Sequence, residues 1–345
     1  MSFLSNLKTL DSFHNRDFRS YYFGMAGQWA AMSMQMVIQS LLIYRLTGSM
    51  ALLGSMALAT ALPMVAVALF AGVATDRFPK KYVIQFSQCG MGLVAVTVAV
   101  LLTTGVISEN REGSWLFVMA GGVIHGALQA LINTARHAII PELVEKEQLM
   151  NAISLNNMGM QVFQFVSPMV GGLLVDHVGF NAVYFLMGGL CLMAVIVTNA
   201  VPKVKPAVRE EKTQVLNDVA EGLKYIRSNT SMLVIVVFTT LCVLIASPMT
   251  TLLPVFTEDI LDVGGTGLGV LQGMMAVGAF IGSMIFASFS IKKRGVIMIV
   301  LGGMLGLVQA IFSFSSIWFL SIIMMIIVGF GRVGHMTPAI ALIQN

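Results

Sequence analysis

Apolar runs, each about the length of a membrane crossing, recur along this chain from residue 20 onward, separated by short polar turns and one long polar interruption. A hydrocarbon core of ~30 Å takes about 20 residues of helix to cross. Ten stretches meet that length: 20–44, 51–75, 82–107, 115–138, 152–176, 180–201, 232–257, 265–290, 295–313 and 317–342. They are too long and too continuous for the alternating ~10-residue strands of an outer-membrane barrel. The pattern therefore predicts an all-α, polytopic helical membrane protein. Residues 1–19 are mixed and polar, unlike a cleavable leader, and the first apolar stretch is long enough to span.

The long interruption, 202–231, separates six spans from four. It predicts an N-terminal six-helix bundle over 1–201, a cytoplasmic linker over 202–231 and a second bundle over 232–345. Within the linker, Val215, Leu216, Val219, Leu223, Tyr225 and Ile226 recur at helical spacing. They suit either an amphipathic helix on the membrane surface, basic at its end, or a solvated linker helix. Internal similarity supports two related halves. Trp115, Gly126 and Thr134 of the fourth stretch align with Trp318, Gly329 and Thr337 of the tenth at one offset, and Leu53-Gly54 aligns with Leu268-Gly269. Parallel repeats of six helices are the plan of two-bundle carriers, whose site lies between the halves. By that plan two more spans and a tail are expected beyond residue 345, the alternative being a ten-helix protein.

Composition agrees with the membrane reading: 57% hydrophobic, 10% charged and a mean hydropathy of +0.86, where soluble domains carry about 25% charged residues. Charge placement sets the orientation. With the N-terminus in the cytoplasm, 17 of the 20 basic residues fall on inside segments or the cytoplasmic ends of spans, including Arg77, Lys80, Lys81, Arg136 and Lys203, against Arg45 and Arg111 outside; the remaining base, Arg332, lies inside the last apolar stretch. This follows the positive-inside rule, and the expected location is a plasma (inner) membrane, multi-pass with a cytoplasmic N-terminus. Cys89, Cys191 and Cys242 sit in apolar spans without paired spacing, so no metal or redox site is expected, and no cofactor. The 26 Met residues suit membrane packing or an adaptable binding surface.

Polar side chains inside spans are costly unless they face a cavity or a partner, which makes them the candidate site. On the fourth stretch His125, Gln129, Asn133 and Arg136 follow at intervals of four, four and three, on one helix face. This stripe is either a water-lined pathway or hydrogen bonding that holds the bundle together. Asn157, Gln161, Gln164 and Pro168 share a face of the fifth stretch, ahead of Gly171 and Gly172, and Gln28, Gln35 and Gln39 keep to one side of the first. Amides donate and accept without charge, so they suit a polar substrate but name none. Arg332 lies ~21 Å along the tenth helix from Trp318 and would either bind an anionic substrate group or snorkel to carbonyls, with His335 beside it. No acid stands at membrane depth. Because an imidazole ordinarily titrates near neutrality, His125 is the candidate proton carrier, or else a packed structural histidine.

The turn Gly72 to Lys81, with Asp76, Arg77, Lys80 and Lys81, resembles the loop between the second and third helices of the major facilitator superfamily, with Pro79 standing where that pattern has Gly. The resemblance implies a two-bundle fold and a cytoplasmic latch built on Gly72, Asp76, Arg77, Lys80 and Lys81. Phe18-Arg19, Thr47 to Ser49 and the segment Asp218 to Asn229 are similar to the enterobactin-exporter and macrolide-efflux branch. Ser167, Pro168, Gly171 and Gly172 resemble the end of the antiporter motif, with Ser167 in place of its Gly. The proton-linked fourth-helix motif aligns with Gly122 in the Arg position and His125 in the Gln position, a departure from the usual coupling scheme.

The expectation is a secondary transporter, working by alternating access and exporting a small organic compound such as a siderophore or drug in exchange for protons. Its partners are that compound, the lipid bilayer and the coupling proton, with no nucleic acid and a monomeric state. Alternatives are an importer of a nutrient or lysolipid, or a transport-dead scaffold. An enzyme is not expected, because no paired-acid, Ser-His or His-Asp cluster falls at membrane depth.

Overall fold

The computed structural model describes residues 12–203, 224, 226–288 and 294–343. Within them run ten long helices: α1 (Arg16–Thr47), α2 (Met50–Arg77), α3 (Lys80–Thr103), α4 (Trp115–Leu143), α5 (Leu149–His177), α6 (Phe180–Thr198), α7 (Thr230–Val255), α8 (Gly264–Ser288), α9 (Arg294–Ser313) and α10 (Trp318–Ile343). The predicted all-α membrane fold is what the chain adopts, and its ten long helices differ in how apolar they are. Among the described residues nine helices are apolar and long enough to cross a membrane, and α1 is not one of them. α1 carries Gln28, Gln35 and Gln39 on faces sheltered by other helices, whereas α2 and α7, both strongly apolar, have few or no buried residues in their apolar windows. A helix wrapped by protein does not need a lipid-compatible coat. Most of the linker expected to form a helix, together with Lys292 and Lys293, lies outside the described residues.

The chain divides into two compact units, one comprising Met1–Ser167 with His177–Thr213 and the other Pro168–Asp176 with Gln214–Asn345. In the first, α2 packs along α4, and α3 packs along both α4 and α6, with α1 against α6. In the second, α10 packs against α8 and α9.

The internal similarity corresponds to a repeated packing device. A Cβ on Gly126 of α4 would collide with the Thr60 carbonyl of α2, and one on Gly329 of α10 would collide with the Met275 carbonyl of α8. Gly126 and Gly329 are separated by the offset that separates Trp115 from Trp318, and Thr60 and Met275 by the offset that separates Leu53 from Leu268. Each unit therefore contains, at equivalent points, a helix pair brought to backbone contact. In lipid, where apolar burial no longer drives association, such close approach is a main source of helix cohesion.

The turns are short and capped. Gly48, at φ 59°, closes α1 by donating to the Tyr44 carbonyl, and Ser49 caps α2 through Leu52 N–H. At the other end of α2, the Pro79 carbonyl accepts from Tyr82 N–H (2.8 Å) and starts α3. Proline suits this place because a helix start leaves its N–H unused anyway.

Candidate functional site

The first unit has a polar interior. Gln28 donates to Met91 Sδ (2.8 Å) and lies 3.6 Å from Cys191 Sγ. Gln35 donates to Gln39 Oε1 (2.8 Å), and Gln39 reaches the Val118 carbonyl (3.5 Å). These three amides are buried and tie α1 to α3, α4 and α6. Gln28 and Gln35 also line a small cavity with His125, Met91, Met187 and Cys191, whose free volume of about 10 Å³ is roughly that of a single water.

Along α4 the polar stripe behaves differently. Gln129 donates to Met32 Sδ (2.9 Å) and Asn133 Oδ1 (3.3 Å), yet its own carbonyl oxygen is buried without a partner. Arg136 is buried among α1, α4 and α5 residues, and its Nε is likewise unpaired, as is Gln161 Oε1 on α5. Gln164 is half-buried and Asn157 exposed. The neighbouring Asn156 is the buried one, accepting from the Tyr21 hydroxyl (3.3 Å). A buried polar atom left unpaired costs about 1–3 kcal/mol, so α4 and α5 hold unmet bonding capacity, whereas the α1 amides are largely spent on the bundle.

At the end of the first unit where α2 meets α3, the bases divide into two groups. Lys80 pairs with Glu142 of α4. Lys81, only 6% exposed, donates to the Asn199 carbonyl (2.7 Å) at the end of α6, where the helix dipole favours a cation. Asn15 caps α1 and donates to the Leu143 carbonyl (2.8 Å), the last residue of α4. Asp76 and Arg77 are exposed and make no hydrogen bond or ion pair with any described residue. An acid in the last turn of α2 works against the helix dipole, so fold stability alone does not account for Asp76. Gly72 stands open, with nothing for a Cβ to meet.

The structure also supplies residues that sequence reasoning missed. Gln88, fully buried on α3, donates to the Gly24 carbonyl (3.3 Å) and accepts from the Thr198 hydroxyl (3.2 Å). Asn156, Glu142 and Asn15 join it. Lone polar residues in apolar runs are the available signal for Gln88 and Asn156, but periodicity selected Asn157 instead. Among the described residues no group of three or more His, Cys, Asp or Glu side chains could hold a metal ion.

The family model for the Major Facilitator Superfamily matches residues 21–345. The chain belongs to that superfamily. Macrolide efflux protein A of Streptococcus pyogenes is 22% identical over 284 residues, covering 81% of this chain and 69% of the relative. An enterobactin exporter of Shigella boydii serotype 18 is 25% identical over 263 residues, 75% of this chain, and the matched part spans only 60% of that exporter's length. Among solved structures, the nucleoside transporter NupG superposes with a TM-score of 0.69 at 14% identity, covering 94% of this chain and 82% of its own. At that identity the likeness is one of fold.

Within the superfamily's fold, the antiporter-like segment lies in the second unit. A Cβ on Gly172 would strike the Gly265 carbonyl, and one on Gly269 would strike the Pro168 carbonyl. Gly171 is buried beside them. Four residues on, Asp176 accepts from Gly265 N–H (3.1 Å), Thr266 N–H (2.6 Å) and the Thr266 hydroxyl (2.8 Å). This carboxylate caps α8 in the way a helix start requires. In the same unit Arg332 of α10 is half-buried, with no carboxylate at ion-pair distance among the described residues. His335 is buried one turn on.

Proposed function

We propose that the chain is a secondary transporter that exports a small organic compound by alternating access, with protons as the coupling ion and the N-terminus in the cytoplasm. The observation that carries the site assignment is the set of unpaired buried atoms on α4 and α5, namely Gln129 Oε1, Gln161 Oε1 and Arg136 Nε. In a bundle that only needed holding together, these atoms would be paired as the α1 amides are. A compound or water that bonds them in one state of the cycle and leaves them in another has the differential affinity that transport requires. Asn157 supports the same reading, since an exposed amide in an apolar helix calls for water or ligand rather than lipid.

Export is supported by the relatives' printed roles as efflux proteins and exporters. His125, beside Gln28 and Gln35 at a cavity of single-water size, is the assigned proton carrier. Arg332 is the candidate polar group of the second unit. Asp76 and Arg77 are the moving part of the gate, while Lys80 and Lys81 are its fixed anchors within the first unit.

The test is transport in inside-out membrane vesicles carrying the chain, with a proton gradient imposed, over a panel that includes a macrolide and a catecholate siderophore. Gradient-dependent accumulation of a panel compound is expected. Accumulation only in right-side-out vesicles would establish an importer and overturn the direction.

A further inference from the structure

The transport reading leaves open what kind of compound is carried, and Arg136 bears on that question. The residue is 7% exposed, and its guanidinium offers five N–H donors. Nη1 meets Met160 Sδ at 3.3 Å and Nη2 lies 3.5 Å from His137 Nε2. Its Nε has no partner, and among the described residues no carboxylate is at ion-pair distance. The next acid along α4, Glu142, is already held by Lys80. A thioether and an imidazole are weak acceptors that carry no negative charge. A buried cation so placed lacks the counter-charge that burial demands. The Tyr21 phenol is within electrostatic reach and is itself fixed to Asn156, so the surroundings are polar but uncharged. His137, beside the guanidinium, is exposed, which gives the position an edge at the protein surface.

We propose, resting on the transport reading above, that Arg136 anchors an anionic oxygen group of the carried compound, a carboxylate or a charged catecholate. The forked N–H geometry of arginine matches a carboxylate with two parallel bonds. The complementary observation is that every Asp and Glu among the described residues stands near a helix end or in a connection, which leaves no described acid at mid-helix depth to hold an amine. The compound carried is an organic acid rather than an organic amine.

The experiment uses the full chain in lipid nanodiscs and measures thermal unfolding against sodium benzoate and against benzamide, its uncharged counterpart of similar shape, with chloride balancing ionic strength. Saturable stabilisation by benzoate and none by benzamide is expected. Arg136→Gln weakens the benzoate response at least about tenfold, the scale of a charge-assisted hydrogen bond, and Arg136→Lys, which keeps the charge, retains part of it. Equal responses to benzoate and benzamide overturn the assignment on the wild-type chain alone, even if Arg136→Gln does not fold. So does unchanged benzoate binding in either variant. If chloride competes with benzoate at equal concentration, the site holds a small inorganic ion and the organic-acid assignment falls. Export that needs Gln129 but survives Arg136→Lys and Arg136→Gln would sink this inference and leave the transport reading standing. Arg136-dependent benzoate binding in a chain that moves no compound would do the reverse.

Discussion

Lys81 offers the most quantitative test of how the first unit is held. Its ammonium is buried and bonds the Asn199 carbonyl at 2.7 Å, tying the start of α3 to the end of α6. Lys81→Gln shortens the side chain and removes the charge, so the bond is lost. Hydrogen bonds to charged groups contribute about 1.5–3 kcal/mol, and the desolvation relieved by removing a buried ammonium offsets part of that. The net loss is therefore placed in the lower half, about 1.5–2 kcal/mol, which raises the population with α3 and α6 parted by roughly 10- to 30-fold.

Cys191 reports this opening directly. It lies on α6, 2% exposed, facing Gly92 of α3. In a Cys89→Ser, Cys242→Ser background it is the chain's remaining thiol. Its rate of modification by a maleimide tracks the open population when closing is faster than labelling. Lys81→Gln should raise that rate by the stated factor, and Lys81→Arg, which keeps a charged donor, should raise it far less. An unchanged rate in Lys81→Gln would refute the view that this lysine is a structural staple.

Three further outcomes follow from the same packing. Gly126→Ala and Gly329→Ala should each lower the unfolding temperature, with overpacking costing about 1–3 kcal/mol or more where the neighbour is backbone, while Gly54→Ala, which meets open space, should not. A double-mutant cycle on Lys80 and Glu142, whose side chains are 12% and 22% exposed, should give a coupling of about 1–2 kcal/mol in denaturant unfolding, above the ~0.2–1 kcal/mol of exposed pairs. Asp176→Ala should cost about 1–2 kcal/mol through loss of the α8 cap, and Asp176→Asn, which still accepts a hydrogen bond, should recover most of it.

Much of this architecture could be read from the sequence because lipid imposes a simple rule. Apolar length gave the helices within a few residues, from α2 at Met50–Arg77 against an expected 51–75 to α9 at Arg294–Ser313 against 295–313. The rule is weakest where protein replaces lipid, which is why α1, buried and amide-bearing, does not qualify as an apolar span. The repeat was visible as matched residues, but the reason for Gly126 and Gly329, backbone contact with Thr60 and Met275, needed coordinates. Periodicity identified faces without saying which way they point, hence Asn157 in place of the buried Asn156. Lys80 and Lys81 take their latch role from the resemblance of their turn to the superfamily's loop. Their partners, Glu142 and the Asn199 carbonyl, lie 62 and 118 residues away, a separation no local pattern reveals.

The central claim is that unpaired polar atoms on α4 and α5 serve a compound moved across the membrane. It is tested most directly by gradient-driven accumulation in inside-out vesicles carrying the wild-type chain, Gln129→Ala, Gln161→Ala or both. The account predicts accumulation by the wild type, a marked loss in each single variant and none in the double, with thermal stability lowered by only about 1–2 kcal/mol in Gln129→Ala, since the unpaired oxygen has no partner to lose and only the amide's bonds to Met32 and Asn133 go. Undiminished accumulation by a well-folded double variant would contradict it.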